Sequence, residues 1–326
     1  MSDILSIIKQ PIEAELSDFT AKYNASLEHK DGILKQALDY IKQRNGKRMR
    51  PILLLLTAKL YGEVTETTMR AGIGLEMLHT ATLIHDHIVD ESSTRRGQAS
   101  VNAIYDNKIA VLVGDYILST ALINVSDSKD IEIVRYLSIL GQTLSDGEIL
   151  QLTSNVSEKI SEEAYYEVIR KKTAALFEAA SAMGAMSVNA SAKSIEKARL
   201  FGQKIGMIFQ IKDDIFDYYN SEEIGKPTGN DMLEGKLTLP AIYAVLSSDN
   251  SEMKQIAMSV KSRKASDAEI ARLIAFTKEQ GGIKYAEEKM MEIREEAMEF
   301  INNEVHDPSL KSAFIAYVDY VIERNK

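Results

Sequence analysis

The sequence predicts a nearly all-α protein, and three observations carry that prediction. Apolar residues recur at helical spacing, as in Ile33-Ala37-Ile41, Ile208-Ile211-Ile215 and Tyr285-Met290-Ile293-Met298. Strict alternation of apolar and polar residues, the mark of a half-buried strand, is scarce. Only 5 prolines and 17 glycines punctuate 326 residues, so long helices can run without interruption. The expected breaks fall at Asn45-Gly46, Tyr61-Gly62, Ser92 to Gly97, Ser126 to Ser128 and Asn155 to Glu158. Further breaks are expected at Asn220 to Glu234, Ser247 to Ser251, Gly281-Gly282 and His306 to Ser309. None reads as a flexible linker, so residues 1–326 are read as a single domain of ten or more helices. The small residues crowding Ala174 to Ala192 are read either as a place where helices pack closely or as the lining of a cavity.

Composition narrows the function. A chain 45% hydrophobic and 27% charged fits a soluble globular protein, and its net charge of −9 argues against a nucleic-acid partner. There is no cysteine, which excludes a disulfide frame and a thiolate metal site. The start Met1-Ser2-Asp3-Ile4-Leu5 lacks a basic region before an apolar stretch, so no secretory signal is read. The apolar run Pro51 to Ala58 falls far short of the ~20 residues of an integral membrane segment. A cytoplasmic enzyme is the expectation.

Five segments carry chemistry. Gly46-Lys47-Arg48-Met49-Arg50-Pro51 sets Lys47 and Arg50 three apart, both able to reach one anion at a helix start. His85-Asp86-His87-Ile88-Val89-Asp90 follows, with Asp86 and Asp90 on one helical face and His79 two turns earlier on the same face. Three histidines beside two aspartates are compatible with zinc or iron, but the doublet Arg95-Arg96 points to phosphate, which guanidinium forks bind bidentately. Gly147-Glu148 with Gln151, and Lys171-Lys172-Thr173-Ala174, come third. Phe209-Gln210 with Asp213, Asp214 and Asp217 repeats the paired-carboxylate pattern. Last is a glycine-rich connection from Gly225-Lys226-Pro227 to Gly235-Lys236-Leu237-Thr238-Leu239-Pro240, read as a lid. Like charges this close repel unless a cation joins them. If the two acidic helices face each other, the fitting guest is Mg²⁺ carrying a phosphorylated ligand.

In this order the segments resemble the trans-isoprenyl diphosphate synthases, the polyprenyl synthetase family, from about Gly46 to Pro240 and again at Gly281-Gly282-Ile283. His79 to Gly97 with Val111 to Asp115 is most similar to the octaprenyl-type branch that makes quinone side chains. The resemblance implies an all-α bundle around a deep cavity, a homodimer, and head-to-tail condensation of isopentenyl diphosphate with an allylic diphosphate using three Mg²⁺. It further implies that Lys47, Arg50, His79 and Arg96 hold isopentenyl diphosphate, and that Arg95, Lys172, Lys226 and Lys236 hold the allylic diphosphate. Asp86, Asp90 and Asp213 are expected to ligate Mg²⁺ directly, with Asp214 and Asp217 close by. Thr173 and Gln210 are expected to face the reacting carbons. A terpene cyclase is disfavoured by the isopentenyl-binding set. A shorter-chain (farnesyl or geranylgeranyl) synthase, or a non-catalytic subunit of a heteromeric synthase, is the alternative.

One departure stands out: the family's first motif has adjacent aspartates, whereas this chain has Asp86-His87. Residue 87 points about 100° away from the Asp86/Asp90 face, so activity is expected to survive. Product length should follow what lies one turn, ~6 to 7.5 Å, below the first pair. Thr82 and Ala81 there are small, where short-chain family members carry an aromatic, so a C30 to C50 product centred on C40 is expected. Tyr116, Leu118 and Phe177 are candidate walls further on. Replacing Ala81 with Tyr should shorten the product sharply on mass analysis; an unchanged product would mean the chain grows elsewhere.

Overall fold

The computed structural model describes residues 2–43, 46–90, 94–95, 98–219 and 229–324. Among these the chain is helical almost throughout, as expected. The first helices are α1 (Ser2–Lys9), α2 (Glu13–Ser26), α3 (Gly32–Gln43), α4 (Met49–Tyr61), α5 (Glu66–Val89) and α6 (Val101–Tyr105). Then come α7 (Asn107–Asp127), α8 (Ile131–Val156), α9 (Glu162–Ile169), α10 (Ala175–Met186) and α11 (Ala192–Phe216). The last are α12 (Asn230–Leu233), α13 (Leu239–Leu246), α14 (Ser251–Lys261), α15 (Asp267–Glu279), α16 (Gly282–Glu304) and α17 (Pro308–Glu323). A π-helical turn, Arg170–Ala174, carries α9 into α10. Thr94–Arg95 (β1) and Gln98–Ala99 (β2) form a two-residue antiparallel pair, a departure from pure helix that starts in the expected break at 92–97 and ends just past it.

Most expected breaks coincide with helix ends, but some turns carried no glycine or proline signal, as at Asp106 (φ 76°) between α6 and α7 and at two more. Between α10 and α11 the chain turns through Asn189 at φ 57°, and between α14 and α15 through Arg263 at φ 55°. The second is followed by a capping box, in which Ser266 and Glu269 each satisfy the other's backbone N–H.

The helices divide into two compact sets. One comprises residues 1–142, 176–202 and 300–320; the other 143–175, 203–299 and 321–326. In the first, α4 is apolar on every side, with Ile52 to Leu56 fully buried, so it is a core helix. Burying each such side chain contributes about 1.5–3 kcal/mol. Helix α5 meets α7 at two glycines. A Cβ on Gly74 would lie 2.4 Å from Val125 Cγ1, and one on Gly114 would lie 2.3 Å from the His85 ring. Gly184 similarly admits the Leu54 carbonyl, and Gly202 that of Phe177. Close packing is therefore what the small residues around 174–192 serve.

Helix α7 is also long and apolar enough, by length and composition, to cross a membrane, a property not read from the sequence. One side is committed to α5: buried Asn124 accepts a hydrogen bond from Arg70 at 3.2 Å and donates to the Thr120 carbonyl at 2.9 Å. The other side exposes Val111, Leu112, Leu122 and Ile123 at helical spacing.

In the second set, Tyr218, Met232, Ala241, Val245, Met253, Ile256, Val260, Ile270 and Leu273 form the core under α13, α14 and α15. Gly281 turns the chain at φ 74°, and Gly282 then passes so close to Pro240 that a Cβ would meet its carbonyl oxygen at 2.2 Å. Lys261, 9% exposed, donates to the Ser157 and Lys159 carbonyls and staples the segment before α9.

Candidate active site

In the first set, both members of the first carboxylate pair are half-buried, and α5 ends between them. Asp86 lies in the last turn, and Asp90 is the cap residue, its N–H bonded to the Asp86 carbonyl at 2.8 Å. The sequence placed the motif inside a helix; the structure puts it at a C-terminus. There the unpaired carbonyls already disfavour an anion and favour a cation. His85 turns away toward α7, 3.3 Å from Asp115 Oδ1 and from the Val111 carbonyl, in the slot that Gly114 leaves. Gly114 and Asp115 thereby orient the helix end that carries the aspartates. His79 and His87 are half-buried on α5.

The basic segment before α4 is anchored by aromatic rings. Arg48 takes a left-handed conformation (φ 52°), which turns the chain into the helix. Exposed Lys47 places its ammonium 5.2 Å from the Tyr320 ring centre, and the Tyr317 hydroxyl donates to the Met49 carbonyl at 2.8 Å. Arg50 lies 5.6 Å above the Phe177 ring, with its Nε 3.5 Å from Glu76 Oε2. Both of those charged side chains are only 17% exposed. Glu76 precedes His79 by three residues on α5, a spacing that could have flagged it. Of the expected wall residues, Phe177 is fully buried, Leu118 is half-buried and Tyr116 packs edge-on to His29; Ala81, one of the small residues expected to leave the way open, is buried.

In the second set, the π turn presents Lys172 and Thr173 side by side, and such turns recur at functional sites. Glycine permits the approach from both neighbours. A Cβ on Gly147 would lie 2.7 Å from Lys171 Cβ, and one on Gly206 would lie 2.4 Å from Ala174 Cα. Lys172 pairs with Glu148 and donates to Gln151 at 3.1 Å, so those earlier residues fix its ammonium. Thr173 donates to Gln210 Oε1 at 2.7 Å; Gln210 donates to Asp214 Oδ1 at 2.7 Å; Tyr165 donates to Asp214 Oδ2 at 2.6 Å. The order follows from the Gln210 amide, whose oxygen only accepts and whose nitrogen only donates. These groups line a cavity of about 240 Å³ together with Asp231, Lys236, Thr238 and Lys261.

The three second-motif aspartates have separate environments. Asp213, 41% exposed, is paired with Arg324 at 2.8 Å. Asp214 is buried, and its carboxyl is held well above the usual range by desolvation and by nearby Asp231, against the pull of Tyr165 and Gln210. Asp217 follows the end of α11 and accepts the N–H groups of Asn230 and Asp231, both at 3.0 Å, so it caps α12. Lys236 pairs with Glu234 at 2.6 Å. Arg96 and Lys226, and the side chain of Arg95, lie outside the described residues.

No three metal-ligating side chains converge among the described residues. Mg²⁺ takes one or two carboxylates and fills its other positions with water and phosphate oxygens. Tyr165, Asp231 and Arg324 escaped the sequence reading because nothing in their spacing links them to the acidic motifs.

A buried carboxyl with a raised value binds its proton more tightly in the folded state. The folded protein therefore loses stability as pH rises from 3.8 toward that value. Removing the Tyr165 donor should deepen the loss. Tyr165→Phe is expected to cost about 1–3 kcal/mol at neutral pH, shrinking as pH falls toward 3.8, in unfolding measured without metal. A pH-independent cost would contradict the Tyr165–Asp214 assignment.

A family model described as Polyprenyl synthetase matches residues 31–277. Over 326 residues the chain is 30% identical to octaprenyl diphosphate synthase of Haemophilus influenzae, covering 99% of this chain and 98% of that protein. The solved geranylgeranyl pyrophosphate synthase from Bacteroides thetaiotaomicron matches with TM-score 0.88 and 46% identity, covering 99% and 100% of the two chains. Polyprenyl synthase from Caulobacter crescentus, complexed with calcium and isoprenyl diphosphate, matches with TM-score 0.91 and 26% identity, covering 99% and 98%. With its paired aspartates at helix ends and its Lys172–Thr173 and Gln210 cluster in place, the chain belongs to the polyprenyl synthetase family of prenyltransferases.

Proposed function

We propose that this prenyltransferase condenses isopentenyl diphosphate head-to-tail with an allylic diphosphate, giving an all-trans polyprenyl diphosphate of C30 to C50, octaprenyl-like, for quinone side chains. The observation that carries the reading is the placement of both carboxylate pairs at helix C-termini, where a cation is favoured. Asp86, Asp90 and Asp213 would hold Mg²⁺, three ions in all, whose charge makes the diphosphate a leaving group. Asp214 and Asp217 are engaged by protein donors, which supports their acting nearby rather than as direct ligands.

Lys172, Lys236, Lys226 and Arg95 would hold the allylic diphosphate; Glu148 and Gln151 already fix the Lys172 ammonium. The allylic C–O bond breaks with its electron pair leaving on the diphosphate. Thr173 donates its only hydrogen to Gln210, so its oxygen lone pairs are free to stabilise the allylic cation. Lys47, Arg50, His79 and Arg96 would hold isopentenyl diphosphate while its double bond attacks that carbon. The proton then lost passes to a released diphosphate oxygen.

Ala81 and Thr82 leave no aromatic below Asp86, which supports the longer products. A geranylgeranyl product is the second reading, favoured by the 46% identity to a synthase of that name. We further propose that residues 1–326 act as one cytoplasmic domain and that the exposed Val111, Leu112, Leu122 and Ile123 of α7 meet a second copy in a homodimer.

The purified chain alone, given Mg²⁺, isopentenyl diphosphate and farnesyl diphosphate, should extend the primer, with products sized by mass spectrometry. Asp86→Ala or Asp213→Ala should lower turnover by at least about 100-fold. No product from the unmodified chain would favour the non-catalytic subunit, and unmodified turnover in both variants would overturn the mechanism.

A further inference from the structure

Phe209, the residue before the catalytic candidate Gln210, has no part in the proposed chemistry, and Arg324 is assigned no role by any motif. The structure joins them. Arg324 is only 6% exposed. Its guanidinium carbon lies 3.7 Å from the Phe209 ring centre and 5.8 Å from that of Phe216. It donates to the Phe209 carbonyl at 2.8 Å and to the Val321 carbonyl at 3.2 Å. It also pairs with Asp213 Oδ1, at 2.8 Å. Guanidinium stays charged at any working pH, and this one is pinned by two carbonyls and a ring face. Asp213, by contrast, keeps 41% of its side chain accessible. A fixed, buried cation therefore sits against an accessible carboxylate.

We propose that Arg324 is a built-in counter-ion for Asp213, a positioning residue that aims the carboxylate and partly neutralises it. A divalent cation then binds Asp213 weakly by itself and strongly when it arrives with a diphosphate, whose negative charge offsets the repulsion from Arg324. Metal and diphosphate binding become linked, each strengthening the other by the same factor. Phe209 supplies the ring and carbonyl that keep the guanidinium in place. The inference rests on Asp213 being a metal ligand, as proposed above.

A plain structural tie between the end of α17 and α11 would make a different prediction, since its loss would change stability and leave metal affinity alone. The test is Mn²⁺ binding to the full chain, followed by electron paramagnetic resonance, with and without inorganic pyrophosphate. Arg324→Gln should bind Mn²⁺ alone at least about threefold more tightly than the unmodified protein, with a correspondingly smaller gain from pyrophosphate. Arg324→Met, which keeps the aliphatic stem against Phe209, should do the same, and Arg324→Lys, which keeps the charge, should stay within about twofold of the unmodified protein. Unchanged or weaker Mn²⁺ binding in whichever neutral variant folds would overturn the counter-ion. Asp213→Asn separates the two ideas. If it weakens Mn²⁺ binding while the Arg324 variants change nothing, only this inference fails; if it too changes nothing, Asp213 is not a ligand and both fail.

Discussion

Carboxylates at the C-terminal end of a helix are held against electrostatic preference, because the unpaired carbonyls there already carry partial negative charge. This chain does it twice, at Asp86 and Asp90 where α5 stops and at Asp213 and Asp217 where α11 stops. Much of the surrounding structure manages that repulsion. Asp90 satisfies its N–H on the Asp86 carbonyl, Asp217 spends both oxygens on the start of α12, and Asp213 is met by a buried arginine.

The close helix approaches follow from the same need. Gly114 admits the His85 ring and steadies the end of α5; Gly206 admits the backbone at Ala174 and brings Gln210 to Thr173. From there the hydrogen bonds run one way, hydroxyl to amide oxygen and amide nitrogen to the Asp214 carboxyl, since an amide oxygen only accepts and its nitrogen only donates. A single glycine-to-alanine change at 206 would strain that relay without touching any of its members.

Helical periodicity made the fold class legible, and most helix ends could be placed from glycine, proline and serine clusters. The turns at Asn189 and Arg263 could not, because both use left-handed residues other than glycine. Strand β1 lies within an expected loop and β2 just beyond it, each too short to leave an alternating pattern. In the site, the i, i+4 carboxylates and the Lys172-Thr173 and Gln210 pairings were visible because they are local or carried by a family resemblance. The π turn beneath Lys172 left no periodic trace. Tyr165, Asp231 and Arg324 act through contacts made only on folding, which no spacing rule encodes. The membrane-length apolarity of α7 is less conspicuous than the dense run in α4, because α7 spreads its apolar residues over two faces.

The proposed chemistry requires the acidic helix ends to bind divalent metal together with an isoprenoid diphosphate. Anomalous diffraction from crystals grown with Mn²⁺ and an unreactive thiodiphosphate analogue of the allylic substrate tests this directly. Manganese peaks bonded to the carboxylates of Asp86, Asp90 and Asp213, and bridged to the diphosphate, are the expected result. A bound diphosphate with no metal at those carboxylates would contradict it.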